Sequence, residues 1–238
     1  MAKRIPVALA GLLLVLVVLG ACLTLPRPPP ETASPTVLPG GEVILPSPDT
    51  TGGMPVEAAL QGRRSVRQFA DRPLPLQDLS QLLWAAQGVT GPQGYRTAPS
   101  AGALYPLEIL VAAGEVEGLG SGVYRYRPGS QSLVPVSAGD PRAALSSAAL
   151  DQAAVRDAPA VLIIAAVPAR TTAKYGERGS RYVDMEAGHA SQNVYLQAQS
   201  LGLATVAIGA FMDGEVAAVA GLDPGEIPRY LMPVGYPA

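Results

Sequence analysis

The chain has 238 residues, with 17 Lys+Arg against 19 Asp+Glu, one His and one Cys. One histidine cannot make the paired-histidine zinc motif of metalloproteases, and one cysteine cannot make a disulfide framework or a Cys-rich metal site; neither lysine, Lys3 or Lys174, follows a glycine-rich phosphate-binding run. A net charge of −2 gives no electrostatic reason to expect nucleic acid, while 48% hydrophobic residues with 26 Gly and 24 Pro imply an apolar core plus turn-rich or linker stretches.

Residues 1–22 read as an export signal. A basic start, Lys3-Arg4, precedes an uncharged apolar run from Ile5 to Leu25, the arrangement of a secretory signal. Leu19-Gly20-Ala21-Cys22 resembles a bacterial lipobox, which makes Cys22 the expected lipidation point and mature N-terminus. The other reading is an uncleaved anchor, since the run is nearly long enough to span a bilayer. Both predict an exported, membrane-attached protein of the cell envelope. Residues 23–54 carry Pro26, Pro28, Pro29, Pro30, Pro35, Pro39, Pro46 and Pro48. That density favours extended backbone without internal hydrogen bonds, so a semi-rigid spacer is expected, with no catalytic role.

Residues 55–238 are expected to form one domain. Val56 to Gln61 reads as a short helix. Leu76, Leu79, Leu82, Leu83 and Ala86 recur at helical spacing, predicting an amphipathic helix over 75–87 that Gly88 stops. Leu107 to Ala112, apolar at every position but Glu108, reads as a buried strand. Two strands, 123–126 and 133–136, flank the turn Pro128-Gly129-Ser130. Residues 141–150 follow as an alanine-rich helix, and Ala160 to Val167 as the strongest buried strand. Arg181 to Leu201 is the longest helix, ended by Gly202. A strand over 203–208, a helix over 213–220 and a strand over 230–234 complete the domain. Helices interleaved with a hairpin and buried strands predict layers around a mixed sheet.

Four segments carry chemistry. Arg63, Arg64, Ser65 and Arg67 put three guanidiniums and a hydroxyl within five positions, which suits bidentate contacts to phosphate oxygens, although a solvated basic turn has the same composition. Pro99-Ser100-Ala101-Gly102-Ala103 places small residues just ahead of a buried strand, where backbone can approach a planar ligand or simply pack closely. Lys174-Tyr175 precedes the long helix, on which Glu186, His189 and Asn193 fall at i, i+3 and i+7. Lys174 is the only lysine of 55–238, and lysine shifts its pKa on desolvation where arginine cannot, which suits acid/base work; chance survival of one lysine is the plainer reading. Gly209-Ala210 ends a strand and would present bare amides at a sheet edge.

Taken in order, Arg63-Arg64-Ser65-x-Arg67, Pro99 to Pro106, Glu186-Ala187-Gly188-His189-x-x-Gln192-Asn193, Ile208-Gly209-Ala210-Phe211 and Pro233-Val234-Gly235 resemble the nitroreductase-like flavoenzymes. The likeness is greatest to their SagB-type branch, related to dehydrogenases that oxidise thiazolines and oxazolines in peptides. It extends over essentially all of 55–238. The resemblance implies an α+β fold: a layered α/β sandwich whose mixed, mainly antiparallel central sheet is flanked by helices. It implies FMN at the interface of a homodimer, NAD(P)H as a candidate electron donor, and a small-molecule or peptide substrate. Arg63, Arg64, Ser65 and Arg67 would then hold the phosphate and ribityl chain. Ser100, Ala101 and Gly102 would line the cofactor, with Glu186 and Asn193 on the adjoining helix, and Gly209 and Ala210 would aim amides at the flavin ring. Lys174 and Tyr175 match a pair that the azoline-oxidising members use for proton transfer.

Two other readings remain. Ser100 with Asp184 and His189 follows hydrolase order, but the segment before Ser100 reads as loop and not as the strand a nucleophile elbow requires. A non-catalytic lipoprotein that binds a flavin or another ligand would fit the same motifs.

Overall fold

The computed structural model describes residues 35–238. The signal and lipobox of 1–22, Cys22 included, and the spacer as far as residue 34 lie outside the described residues. Among the described residues no helix is long and apolar enough to cross a membrane.

Eight strands make one sheet: β1 (Thr36–Val37), β2 (Val43–Ile44), β3 (Leu107–Ala113), β4 (Gly122–Arg127), β5 (Ser132–Ala138), β6 (Ala160–Ala166), β7 (Ala204–Thr205) and β8 (Ile227–Gly235). Their order is β1-β2-β5-β4-β3-β6-β8-β7, and every ladder is antiparallel. Among the described residues, parallel pairing occurs only in isolated bridges, Ser65 with Thr205 and Leu74 with Val116. The helices are α1 (Val56–Gly62), α2 (Leu76–Gln87), α3 (Arg142–Ala148), α4 (Ala153–Asp157), α5 (Ala169–Tyr175), α6 (Arg178–Leu201) and α7 (Asp213–Ala220). The layered α+β sandwich expected from the motifs is the observed fold.

The continuous apolar runs become central strands because the sheet is covered on both faces. All seven residues of β6 are buried. Leu162 and Ile164 join one core cluster, with Ile109 and Val111 of β3, α2 and α6. Val161, Ile163 and Ala165 join the other, with Leu110, Ala112 and residues of α3, α4 and α7. Successive strand side chains point to opposite faces, so a strand buried on both must be apolar at every position. α6 ends at Gly202, whose φ of +70° puts it in the left-handed conformation, and the Leu203 amide bonds back to the Ala198 carbonyl at 2.8 Å.

The spacer expected up to residue 54 is corrected by this arrangement. β1 and β2 form a hairpin at the sheet's edge, its second strand pairing with β5, and Val43 and Leu45 are buried in the first core cluster. The Ser80 hydroxyl donates to the Pro46 carbonyl at 2.6 Å, and Gln81 exchanges hydrogen bonds with the Asp49 backbone at 2.7 and 2.9 Å. Prolines are tolerated on such an edge, where the missing donors cost no ladder bonds. Helices α4 and α5 were not anticipated. The strand expected over 203–208 pairs only at Ala204–Thr205, and Ile208 rejoins through a bridge to Leu231.

If the hairpin belongs to the cooperative fold, Leu45→Ala lowers the unfolding free energy by about 2–5 kcal/mol in urea denaturation. A change within about 0.5 kcal/mol would mark 36–49 as a detached strap.

Candidate functional site

Helix α6 positions the site. It turns one stripe (Val183, Ala187, Ala190, Val194 and Ala198) into the core, and three polar groups on or beside that stripe reach the loops around it. Tyr195, buried, is the first. Its hydroxyl accepts the Ala207 amide at 2.8 Å and lies 2.9 Å from the Ser65 hydroxyl. The Val66 amide bonds the Thr205 carbonyl at 3.0 Å, so the arginine-rich arm runs beside β7. Arg63 lies over the Tyr195 ring at 5.3 Å. Arg64 turns back to the carbonyls of Gln61 and Arg63 at the end of α1, whereas Arg67 stays exposed. None of the three arginines makes an ion pair among the described residues.

Asn193 donates to the Thr97 carbonyl at 3.2 Å and so fastens the loop ahead of Ser100. It also lines a cavity of about 610 Å³ between α1, α2, α6 and residues 49–54, beside Trp84 and Gln197. That cavity holds none of the other predicted site residues; the chemistry gathers elsewhere on α6.

The third group is Glu186. Only 2% of it is exposed, and neither carboxylate oxygen makes a well-formed hydrogen bond. Burial pushes its pKa up to about 7, against the opposing pull of the Ser100 hydroxyl and the Arg96 guanidinium. Ser100 opens a tight turn with a single 3-10 segment, Ala101–Ala103. Its Oγ accepts the Tyr105 amide at 2.9 Å. Gly102 has φ +64°, and a Cβ there would lie 2.8 Å from Tyr175 Oη and 3.0 Å from Lys174 Nζ. The ends of both α5 side chains therefore meet over the one residue of the turn that has no side chain. The Tyr175 ring packs edge-on against Tyr182 at 5.2 Å.

Gly209 and Ala210 are exposed, and their amides donate to no protein acceptor among the described residues. Gly209 borders a smaller cavity of about 330 Å³, with Arg229 and Tyr230 of β8 and Asp184 of α6. The predicted residues thus form two main groups. The arm group is Arg63, Ser65 and Arg67 at Tyr195, with Gly209 and Ala210 beyond the same edge strand. The turn group is Ser100, Ala101, Gly102, Lys174 and Tyr175 at Glu186. Nine residues separate Glu186 from Tyr195, about 14 Å along the helix axis.

The hydrolase arrangement is absent. His189 is exposed, and Ser100 is committed to the Tyr105 amide beside Glu186, with no hydrogen bond to His189. Tyr195 and Arg96 were not anticipated. A tyrosine two positions after Asn193 on an apolar helix was the available signal for the first; nothing in the spacing marked the second.

A family model described as "Nitroreductase family" matches residues 60–236. A Methanocaldococcus jannaschii protein named as a nitroreductase, MJ1384, is 51% identical over 180 residues, 76% of this chain and 90% of that protein. The microcin B17-processing protein McbC of Escherichia coli is 30% identical over 162 residues, 65% of this chain and 60% of its own length. A crystal structure from Ralstonia eutropha, also named as a nitroreductase, superposes with a TM-score of 0.72 at 31% identity, covering 86% of this chain and 93% of that one.

Because one hydroxyl serves both Ser65 and Ala207, Tyr195→Phe leaves a buried amide unpartnered. It is expected to cost about 1–3 kcal/mol in thermal or urea unfolding and to speed hydrogen exchange at Ala207. Unchanged stability with unchanged Ala207 protection would show that the arm is held by other contacts.

Proposed function

This chain belongs to the nitroreductase family of oxidoreductases, and on that footing we propose that it is an FMN-dependent enzyme of the SagB-type branch. Its substrate is a small molecule or a peptide, and NAD(P)H is its candidate electron donor. The observation that carries this reading is the meeting of Lys174 Nζ and Tyr175 Oη over Gly102, in the turn that the family resemblance assigns to the cofactor.

The residues present fit FMN. Arg63 and Arg67 offer guanidiniums with no carboxylate partner among the described residues, and Ser65 adds a hydroxyl beside them. The open amides of Gly209 and Ala210 suit the polar edge of a ring system. Bound FMN would supply the hydride-carrying ring, a chemistry no side chain offers. What the chain adds is proton handling: Lys174 is open to solvent, while half-buried Tyr175 holds its hydroxyl at the turn. The separation of the arm and turn groups along α6 accords with a site shared between two copies, the homodimer that the resemblance implies. McbC is a microcin B17-processing protein, which supports the peptide class among the candidate substrates. The N-terminal segment with Cys22 would hold the enzyme at the membrane of the cell envelope.

Purified protein incubated with FMN is expected to keep the flavin through gel filtration and to show its absorption spectrum; a colourless product would sink the proposal. Arg63→Ala and Arg67→Ala should each weaken flavin binding by roughly 10- to 100-fold, the effect of losing one charged hydrogen-bonding group. Lys174→Arg should retain flavin yet lower turnover of the reduced enzyme with quinone or nitroaromatic acceptors by about 100-fold or more. Undiminished turnover would remove Lys174 from the mechanism.

A further inference from the structure

The open amides of Gly209 and Ala210 are followed by a third. The Phe211 N–H also donates to no protein acceptor among the described residues, whereas both ends of the segment are tied. Ile208 exchanges two 2.9 Å backbone bonds with Leu231, and the Met212 amide donates to the Ala148 carbonyl at 2.8 Å. The Phe211 side chain packs against the second core cluster, and Gly209 and Phe211 both border the cavity of about 330 Å³. Three successive donors are thus left open on a segment whose ends are fastened.

A peptide group is planar, so a bond to its carbonyl also fixes the direction of its N–H. The Gly209 N–H shares a peptide group with the Ile208 carbonyl, which accepts the Leu231 amide. The Phe211 N–H shares one with the Ala210 carbonyl, and that carbonyl accepts a hydrogen from the Gln152 side-chain amide at 3.0 Å. Gln152 Nε2 donates its other hydrogen to the Ala149 carbonyl, also at 3.0 Å. Only the NH2 end of the amide can meet two carbonyls, so its orientation follows from its partners.

The loop that delivers Gln152 is held in one shape. Between α3 and α4, Leu150 (φ +60°) and Asp151 (φ +58°) stand consecutively in the left-handed region, which residues with side chains avoid. Such backbone persists where the surroundings over-determine it. Here the Ser146 carbonyl accepts the Asp151 amide at 2.9 Å, and the Ser146 hydroxyl donates to the Gln152 carbonyl at 3.0 Å. Leu145, Ala148 and Ala149 anchor the loop in the second core cluster. Leu150 itself is exposed, so burial of its own side chain does not account for the strain.

We propose that Gln152 is a positioning residue that orients the Phe211 amide as a further backbone donor, beside those of Gly209 and Ala210, for the electron-rich edge of a bound ring. Leu231 sets the Gly209 amide through Ile208, and Gln152 sets the Phe211 amide through Ala210. Donors fixed before a ligand arrives need no reorganisation when it gains charge. The effect on a flavin rests on the flavoenzyme reading; the orientation of the Phe211 amide stands on the chain's own bonds.

The test uses the full chain, first without flavin. Gln152→Met keeps the length of the side chain and removes its hydrogens. In nitrogen-15 NMR the Phe211 amide resonance should then shift, while that of Gly209, held through Leu231, stays in place. Gln152→Glu at neutral pH sets a carboxylate against the Ala210 carbonyl and should displace the Phe211 resonance further. In the second part the native and Gln152→Met chains are loaded with FMN and their midpoint potentials measured. A donor whose bond strengthens as the ring gains electrons favours the reduced form. Gln152→Met should therefore retain FMN but weaken binding of reduced relative to oxidised flavin roughly tenfold, a potential lower by about 30 mV for a two-electron couple.

A Phe211 resonance unmoved in Gln152→Met, or a Gly209 resonance that moves as far, overturns the proposed orientation. A Phe211 shift with an unchanged potential overturns its link to the cofactor. If neither chain takes up FMN, the flavoenzyme reading fails, and the Phe211 and Gly209 resonances still decide whether Gln152 orients the amide.

Discussion

The structure depends on burying one face of α6 against the sheet while that same helix holds the surrounding loops. A 24-residue helix is about 36 Å long, enough to run past both the arginine-rich arm and the Ser100 turn. Its core contacts come from small and branched residues, Val183, Ala187, Ala190, Val194 and Ala198, which let it sit close to the strands. Close approach leaves no room for water around Glu186 and Tyr195, so each must use a protein partner or remain unpaired. Tyr195 is fully used, by Ala207 and Ser65, and Asn193 by Thr97. Glu186 is the exception. The packing that makes α6 a good cover for the sheet is the packing that raises the Glu186 pKa.

The opposite face of the sheet handles charge differently. Arg125 enters β4 nearly buried, and Glu226 receives it bidentately at 2.7 and 2.8 Å, with Glu108 and Asp223 at 3.4 Å. There the desolvated groups are compensated in kind, and the Arg125 partners hold the turn that leads into β8. β8 in turn exchanges two 2.9 Å backbone bonds with Ile208, immediately before Gly209 and Ala210. A satisfied ionic network thus braces the strand that presents the open amides, and an unsatisfied carboxyl sits by the turn. Rigidity and responsiveness fall on opposite faces of one sheet.

Much of this was legible in the residues because the dominant signals were long and apolar. β6 was visible as an unbroken hydrophobic run, β3 as one interrupted only by Glu108, α2 as a 3.6-residue repeat, and the end of α6 as a glycine. Shorter elements depend on contacts that composition does not report. α4 and α5 span only five and seven residues and are fixed by tertiary packing more than by their own periodicity. The hairpin of β1 and β2 was hidden by its prolines, although Val43 and Leu45 carried the needed apolar signal within them. At the site, the arm, the turn and the Lys174–Tyr175 pair were marked by residue type. Their division into two groups along α6 was not, because sequence order says nothing of which loops a helix grips. Tyr195 escaped notice since an aromatic residue on a buried helix ordinarily means core, and here its ring does join the core while its hydroxyl does the fastening.

The domain's single lysine and a neighbouring tyrosine meet at a position that has no side chain. Lys174 is the only lysine after residue 54, and Gly102 is the turn position that its Nζ and the Tyr175 hydroxyl approach. An arginine at 174 would replace the compact ammonium with a broad planar guanidinium. A Cβ at 102 would displace the ends of Tyr175 and Lys174 and would also resist the left-handed backbone there. These requirements are mutually dependent: the glycine gives the lysine and tyrosine a place to converge, and their convergence takes up the space a side chain at 102 would need.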